Sequence, residues 1–248
     1  MIKKIPDYIL KASKLEINSL GLIPTWSYSA LKDYEKCPQR SFLKKIKGIA
    51  EPGGPAAQRG NAIHEEAEQY INGSLGELPE NLKKFEASFK ELRNLYIDAK
   101  VIVEEDWGFT QDWGVCSWTH PDIWAKVKID AFVEESKNSA RVIDFKTGKK
   151  WGNEIAHSQQ CLLYTIAAFY RYPNLEFCQA ELWYLDKKET TIKQYNRDQA
   201  MMFAPGFHNR GIRMTTATTF DPTPSIDACR WCSYGKGENP PCRWGKYL

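Results

Sequence analysis

The stretch Ile123–Gly148, IWAKVKIDAFVEESKNSARVIDFKTG, holds two runs rich in β-branched and aromatic residues, separated by the polar segment ESKNS. Such runs read as strands joined by a turn. A hairpin centred near Lys137 sets Asp130 directly opposite Asp144. Directly opposed residues share a sheet face, with side chains within roughly 5 Å of each other. Period-two alternation then puts Lys146 on the face of Asp144 and leaves Ile129, Ala131, Ile143 and Phe145 on the other. A slip of one residue would separate the two acids, so everything downstream depends on this register. Like charges in opposition destabilise a hairpin. A divalent cation between them turns repulsion into coordination, because hard cations take carboxylate oxygens. The plainer reading is two solvated acids on an exposed face, where most acids lie.

Outward from the hairpin, the pattern is helical before it and mixed after it. TWSYSALKDYEKCPQRSFLKKIKG reads as a helix that Ser27 or Ser29 can cap and Gly48 can stop. EPGGPAAQRG reads as a breaker-rich loop. NAIHEEAEQYINGS carries an apolar stripe of Ala62, Ile63, Ala67, Tyr70 and Ile71, and so reads as a second helix. A third helix is expected over residues 81–97 and strands from about Lys100 to Phe145. A helix from Glu154 to Tyr170, strands at AELWYLD and TTIKQYN, and a helix near Asp198 follow. Helices flanking a central mixed sheet define an α/β domain. The expected division is an N-terminal extension over 1–25, a core over 26–220 and a cysteine-rich segment over 221–248.

No stretch approaches the roughly 18 apolar residues of a membrane span. The first twenty residues intersperse too many charges for a secretory signal. A cytoplasmic setting is the default expectation. A net charge of +3 announces no polyanion partner, so any basic surface must be local. No phosphate-binding loop of the G-x-x-x-x-G-K-[ST] type is present, so an ATP motor would have to be a separate protein.

Two further groups carry chemistry. His64 lies beside the apolar stripe of its helix with Glu68 one turn on; a neutral imidazole suits a transition metal and can share a site with carboxylates. Seven cysteines, an odd number, argue against a complete disulfide framework. Cys116, Cys161 and Cys178 sit in apolar or strand-like surroundings and read as small buried hydrophobes. Cys37, Cys229, Cys232 and Cys242 stand apart. Three of them fall in ACRWCSYGKGENPPCRW, and structural zinc or iron–sulfur sites usually take four protein ligands. Arg230, Trp231, Arg243, Trp244 and Lys246 add a basic-aromatic mix. That mix suits phosphate contact and base stacking; alternatively the two tryptophans cover a metal site.

In order, SYSALKDYEKCPQRSFL, RGNAIHEEAE, VKIDAF, VIDFKTGK and QCLLY resemble the PD-(D/E)XK nuclease superfamily, in the branch related to the RecB nuclease domain, AddB and Cas4. The resemblance spans roughly Trp26 to Tyr170, and the C-terminal cysteines extend it. It implies a restriction-endonuclease-like core and Mg²⁺ or Mn²⁺ held by His64, Asp130, Asp144 and the Phe145 carbonyl. It also implies Lys146 as the active-site lysine, with Gln160 and Tyr164 near the site and the DNA. Val127 stands where the family often has glycine. The iron–sulfur members place one cysteine before the core and three after it, implying a [4Fe–4S] cluster on Cys37, Cys229, Cys232 and Cys242, with Zn²⁺ as the alternative. Either would clasp the two ends of the chain. The expected activity is metal-dependent hydrolysis of DNA, on single strands or ends, alone or beside a separate helicase, recombinase or integrase. A phage-encoded or Cas4-like role fits the same pattern, and so does a non-catalytic DNA-binding protein that keeps the fold.

Overall fold

The computed structural model of the chain describes residues 21–51, 54–148 and 152–244. Most of the expected N-terminal extension and Lys246 lie outside them. β1 (Trp26–Ser27) runs into α1 (Tyr28–Lys36), and Ser27 caps that helix by accepting from the Ala30 N–H. The single helix expected as far as Gly48 breaks at Cys37, which is extended at φ −163 and ψ 107. The cause is Pro38, whose ring disfavours helical backbone in the residue before it. Helix resumes as α2 (Pro38–Ser41) and a π-helical turn (Phe42–Ile46), and Gly48 ends the segment at φ 64. α3 (Pro55–Ile71) begins earlier than its apolar stripe suggests, so residues 55–60 belong to helix rather than loop. Pro55 is favourable there, because a first-turn N–H has no partner to lose.

A 3₁₀ turn (Glu80–Phe85) leads to α4 (Glu86–Ile97), then β2 (Val101–Phe109), β3 (Val115–Cys116), β4 (Ala125–Ser136) and β5 (Ser139–Lys146). α5 (Glu154–Arg171), β6 (Phe177–Tyr184), β7 (Glu189–Asn196), α6 (Arg197–Met201), α7 (Ala204–Thr215) and α8 (Ile226–Cys229) complete the order. The sheet runs β3-β2-β4-β5-β6-β7, with the short β1 parallel to β4. β4 and β5 are antiparallel, β5 and β6 parallel. A parallel pair needs a crossover, and α5 supplies it.

Two cores sandwich the sheet. On one side Leu163, Ile166 and Phe169 of α5 pack with Phe132, Ala140 and Val142. On the other, Ile63 and Ala67 of α3 and Phe89 and Leu92 of α4 pack with Ala131, Ile143, Phe145 and Trp183. Ile129 was expected on the face of Ala131, but it packs in the α5-side core with Val127, Trp107 and Phe109. Val101 and Val103, earlier on β2, pack on the α3 side. β2 and β4 therefore change face together, between the pairs Val103↔Ala131 and Glu105↔Ile129. Glu104 sits at that point with φ 49, a left-handed conformation uncommon for a residue with a side chain. The irregularity aims Glu104 and Asp130 toward α3.

Ile23, assigned to the extension, is buried in the α5-side core. The C-terminal segment is tied to the last residue of α1 and to the region after it: Thr223 Oγ1 donates to the Lys36 carbonyl at 2.9 Å, and the Tyr234 hydroxyl to the Ile49 carbonyl at 2.8 Å.

Candidate active site

The hairpin register pairs Ala131 with Ile143 and Phe132 with Val142, the alignment that opposes Asp130 and Asp144. Both acids are buried. Asp144 Oδ2 lies 2.6 Å from Lys146 Nζ, as strand alternation requires of residues two apart. Gln160, from the face of α5 that covers the sheet, completes the group. Its amide nitrogen donates to Asp144 Oδ1 at 3.1 Å and to the Tyr164 hydroxyl at 2.5 Å, and its carbonyl oxygen accepts from Lys146 at 2.9 Å. Burial pushes the Lys146 pKa down, but the Asp144 carboxylate more than offsets this and holds it above the usual lysine value. The lysine is a fixed cation.

Asp130 has different neighbours. Its Oδ2 accepts from the Phe145 N–H at 2.6 Å, and its Oδ1 lies 3.3 Å from His64 Nδ1. Glu104 Oε1 lies 3.7 Å from the same nitrogen, while Oε2 pairs with Lys128 at 2.7 Å. Burial, then the neighbouring Asp144 charge, raise the Asp130 pKa. Burial would lower that of His64, but the carboxylates of Asp130 and Glu104 raise it to about 10. The carboxylate charge gathered in this buried place contributes to both shifts, and it would equally draw a cation.

His64, Glu104 and Asp130 bring one ligand atom each within 4.8 Å of one another. Glu104 Oε1 is buried without a hydrogen bond, and Asp144 Oδ2 has its ion pair but no aligned hydrogen bond. Buried oxygens of this kind are rarely left unsatisfied. Carboxylate oxygens suit Mg²⁺ or Mn²⁺, and an imidazole beside them suits a transition-metal ion such as Mn²⁺, so the residues fit a divalent cation.

The structure thus brings His64, Asp130, Asp144, Phe145, Lys146, Gln160 and Tyr164 to one end of the β4–β5 hairpin. Tyr164 is buried, with its ring in the core and its hydroxyl on Gln160. Val127 is likewise buried. The sequence reading missed Glu104. Its signal was a run of three acids, Glu104-Glu105-Asp106, between apolar residues of one strand.

The family model of the PD-(D/E)XK nuclease superfamily matches residues 25–120 and 125–236. The chain belongs to this superfamily. No curated protein matches significantly. Among solved structures, SSO0001 is similar at 15% identity, over 91% of each chain, with a TM-score of 0.48. The alkaline exonuclease LHK-Exo from Laribacter hongkongensis is similar at 10% identity, over 75% of this chain and 84% of that one, with a TM-score of 0.38. Nucleases of the superfamily use divalent metals, and the His64–Glu104–Asp130 group is a place where this member could hold one.

Cys37, Cys229, Cys232 and Cys242 line one cavity with Arg40, Leu43 and Tyr234. No three of their sulfurs lie within 4.8 Å of one another among the described residues, so a closed metal-site geometry is not formed. Cys161 and Cys178 are buried as expected, whereas Cys116 on β3 is only half-buried.

Proposed function

We propose that the chain is a metal-dependent deoxyribonuclease acting on single-stranded DNA or free DNA ends. One observation carries the reading: a buried Asp144–Lys146 pair locked by Gln160 lies across the hairpin from the His64–Glu104–Asp130 cluster. His64, Glu104, Asp130, Asp144 and the Phe145 carbonyl would hold Mg²⁺ or Mn²⁺. Such an ion lowers the pKa of a bound water and neutralises charge on phosphate oxygens. The protein's own contribution is positional. Lys146, kept charged by Asp144, orients the attacking water or stabilises the charge that builds on the phosphate. Gln160 fixes both ends of that pair, and Tyr164 fixes Gln160. The Phe145 N–H keeps Asp130 Oδ2 occupied, leaving Oδ1 for the cation.

The four-cysteine cavity supports placing the chain in the RecB–Cas4-like branch with a [4Fe–4S] cluster. Zn²⁺ on the same four cysteines is the alternative. Cleavage of end-labelled and circular DNA, each single- and double-stranded, tests the substrate. Degradation of linear single strands with circles spared is expected. Cleavage of circles at an equal rate would replace end-directed action with endonuclease action.

A further inference from the structure

The cysteine cavity is closed by Tyr234, which is buried and lines it, rather than by the tryptophan between Cys229 and Cys232. Trp231 is 73% exposed. An indole so placed gains nothing from the fold. Two cations flank its ring, Arg230 with its guanidinium 5.2 Å from the centroid and Lys236 with its ammonium 5.8 Å away. A broad π-face bordered by two cations is complementary to an unpaired base with its adjoining phosphates, and base–aromatic stacking of this kind tolerates any sequence.

The position of this patch relative to the active site is set by α1. At the N-terminal end of that helix the Tyr28 hydroxyl donates to the Ala156 carbonyl in the first turn of α5, at 2.6 Å. One turn on, the Lys32 ammonium lies 5.1 Å from the Tyr28 ring. The same Tyr28 hydroxyl lies 3.4 Å from Gln159 Oε1, the residue before Gln160 of the active site, so this end of α1 borders the site. One further turn brings Lys36, 3.3 Å from Asp227 on α8, two residues before Cys229. Tyr28, Lys32 and Lys36 therefore form a stripe at helical spacing. It runs about 12 Å, eight helical rises, from the first turn of α5, the helix that also carries Gln160, to the segment bearing Trp231. The Lys36–Asp227 pair is an exposed one of small net strength and can exchange its carboxylate for a phosphate.

We propose that Trp231, with Arg230 and Lys236, is a stacking station for a base of single-stranded DNA, and that Lys32 and Lys36 line the path from it to the cleavage site. This rests on the nuclease reading above and deepens it. A duplex has no unpaired base to offer such a surface, so the station makes the enzyme a single-strand reader.

The test is binding, measured by fluorescence anisotropy with a labelled 20-nucleotide single strand and a blunt duplex, in full-length Asp144→Asn protein so that DNA survives. Adding Trp231→Ala is expected to weaken single-strand binding about tenfold with no shift in Tm, and to leave duplex binding unchanged. Trp231→Phe, which keeps a ring, is expected to restore most of the affinity. Arg230→Ala with Lys236→Ala is expected to flatten the slope of log K against log salt by about 1.4. Unchanged single-strand affinity in Trp231→Ala overturns the proposal, as does an equal loss on the duplex. Wild-type protein that binds through Trp231 yet hydrolyses no DNA would refute the nuclease reading and leave the station standing.

Discussion

Asp144 and Asp130 lie opposite each other yet are served by different neighbours, Lys146 and Gln160 for the first, His64 and the Phe145 N–H for the second. The division predicts different consequences of mutation. Lys146→Ala is expected to lower kcat by at least about a hundredfold while leaving Mn²⁺ affinity nearly unchanged, because the ammonium binds no metal. Glu104→Gln is expected to do the reverse first. Its Mn²⁺ affinity, measured by calorimetry without DNA, should fall about tenfold, equivalent to about 1.4 kcal/mol. Equal affinity in the variant would remove Glu104 from the ligand set. Asp130, Asp144 and Lys146 were legible in the sequence because a hairpin turn fixes register by counting. Glu104 was not, because β2 reaches β4 across the fifteen residues between Phe109 and Ala125, and no count carries across so long a connection.

Among the elements, α5 holds the site and α7 packs closely on β1. Gln160 and Tyr164 lie one turn apart on α5, and the second holds the first. Tyr164→Phe is therefore expected to lower kcat with DNA affinity unchanged; weakened DNA binding at normal kcat would place Tyr164 on the DNA path instead. α7 approaches β1 so closely that a Cβ on Gly211 would meet Trp26 Nε1 at 2.6 Å and Trp124 at 2.7 Å. Gly211→Ala should cost about 1–3 kcal/mol by overpacking, read from urea unfolding. Gly206→Ala, on the same helix with nothing within 4 Å, should be neutral or stabilise by up to about 1 kcal/mol. Helix and strand identities were readable from periodicity. The break at Cys37, the early start at Pro55 and the shared face change of β2 and β4 arise from local sterics and cross-strand pairing, which apolar periodicity does not encode.

For the whole molecule, the sheet with a helical layer on each side followed from the order of runs, and no described helix is long and apolar enough to cross a membrane. The C-terminal segment reaches back to the last residue of α1 and those after it, joining chain positions almost two hundred residues apart. Cys37 and the three late cysteines meet there in one cavity. Protein prepared anaerobically is expected to carry about four irons per chain, the content of a [4Fe–4S] cluster, and Cys37→Ala to lose them and expose the C-terminal segment to proteolysis. One zinc and no iron would make the site a zinc clasp, and four alkylatable thiols with no metal would end both versions. The central claim is hydrolysis at the Asp130–Asp144–Lys146 site, and the most direct measurement is cleavage of an end-labelled single strand by wild-type and Asp144→Asn protein with Mg²⁺, Mn²⁺ or EDTA. The account predicts cleavage by the wild type with either metal, none with EDTA, and loss of nearly all activity in the variant at unchanged Tm. Near-normal cleavage by Asp144→Asn would contradict it.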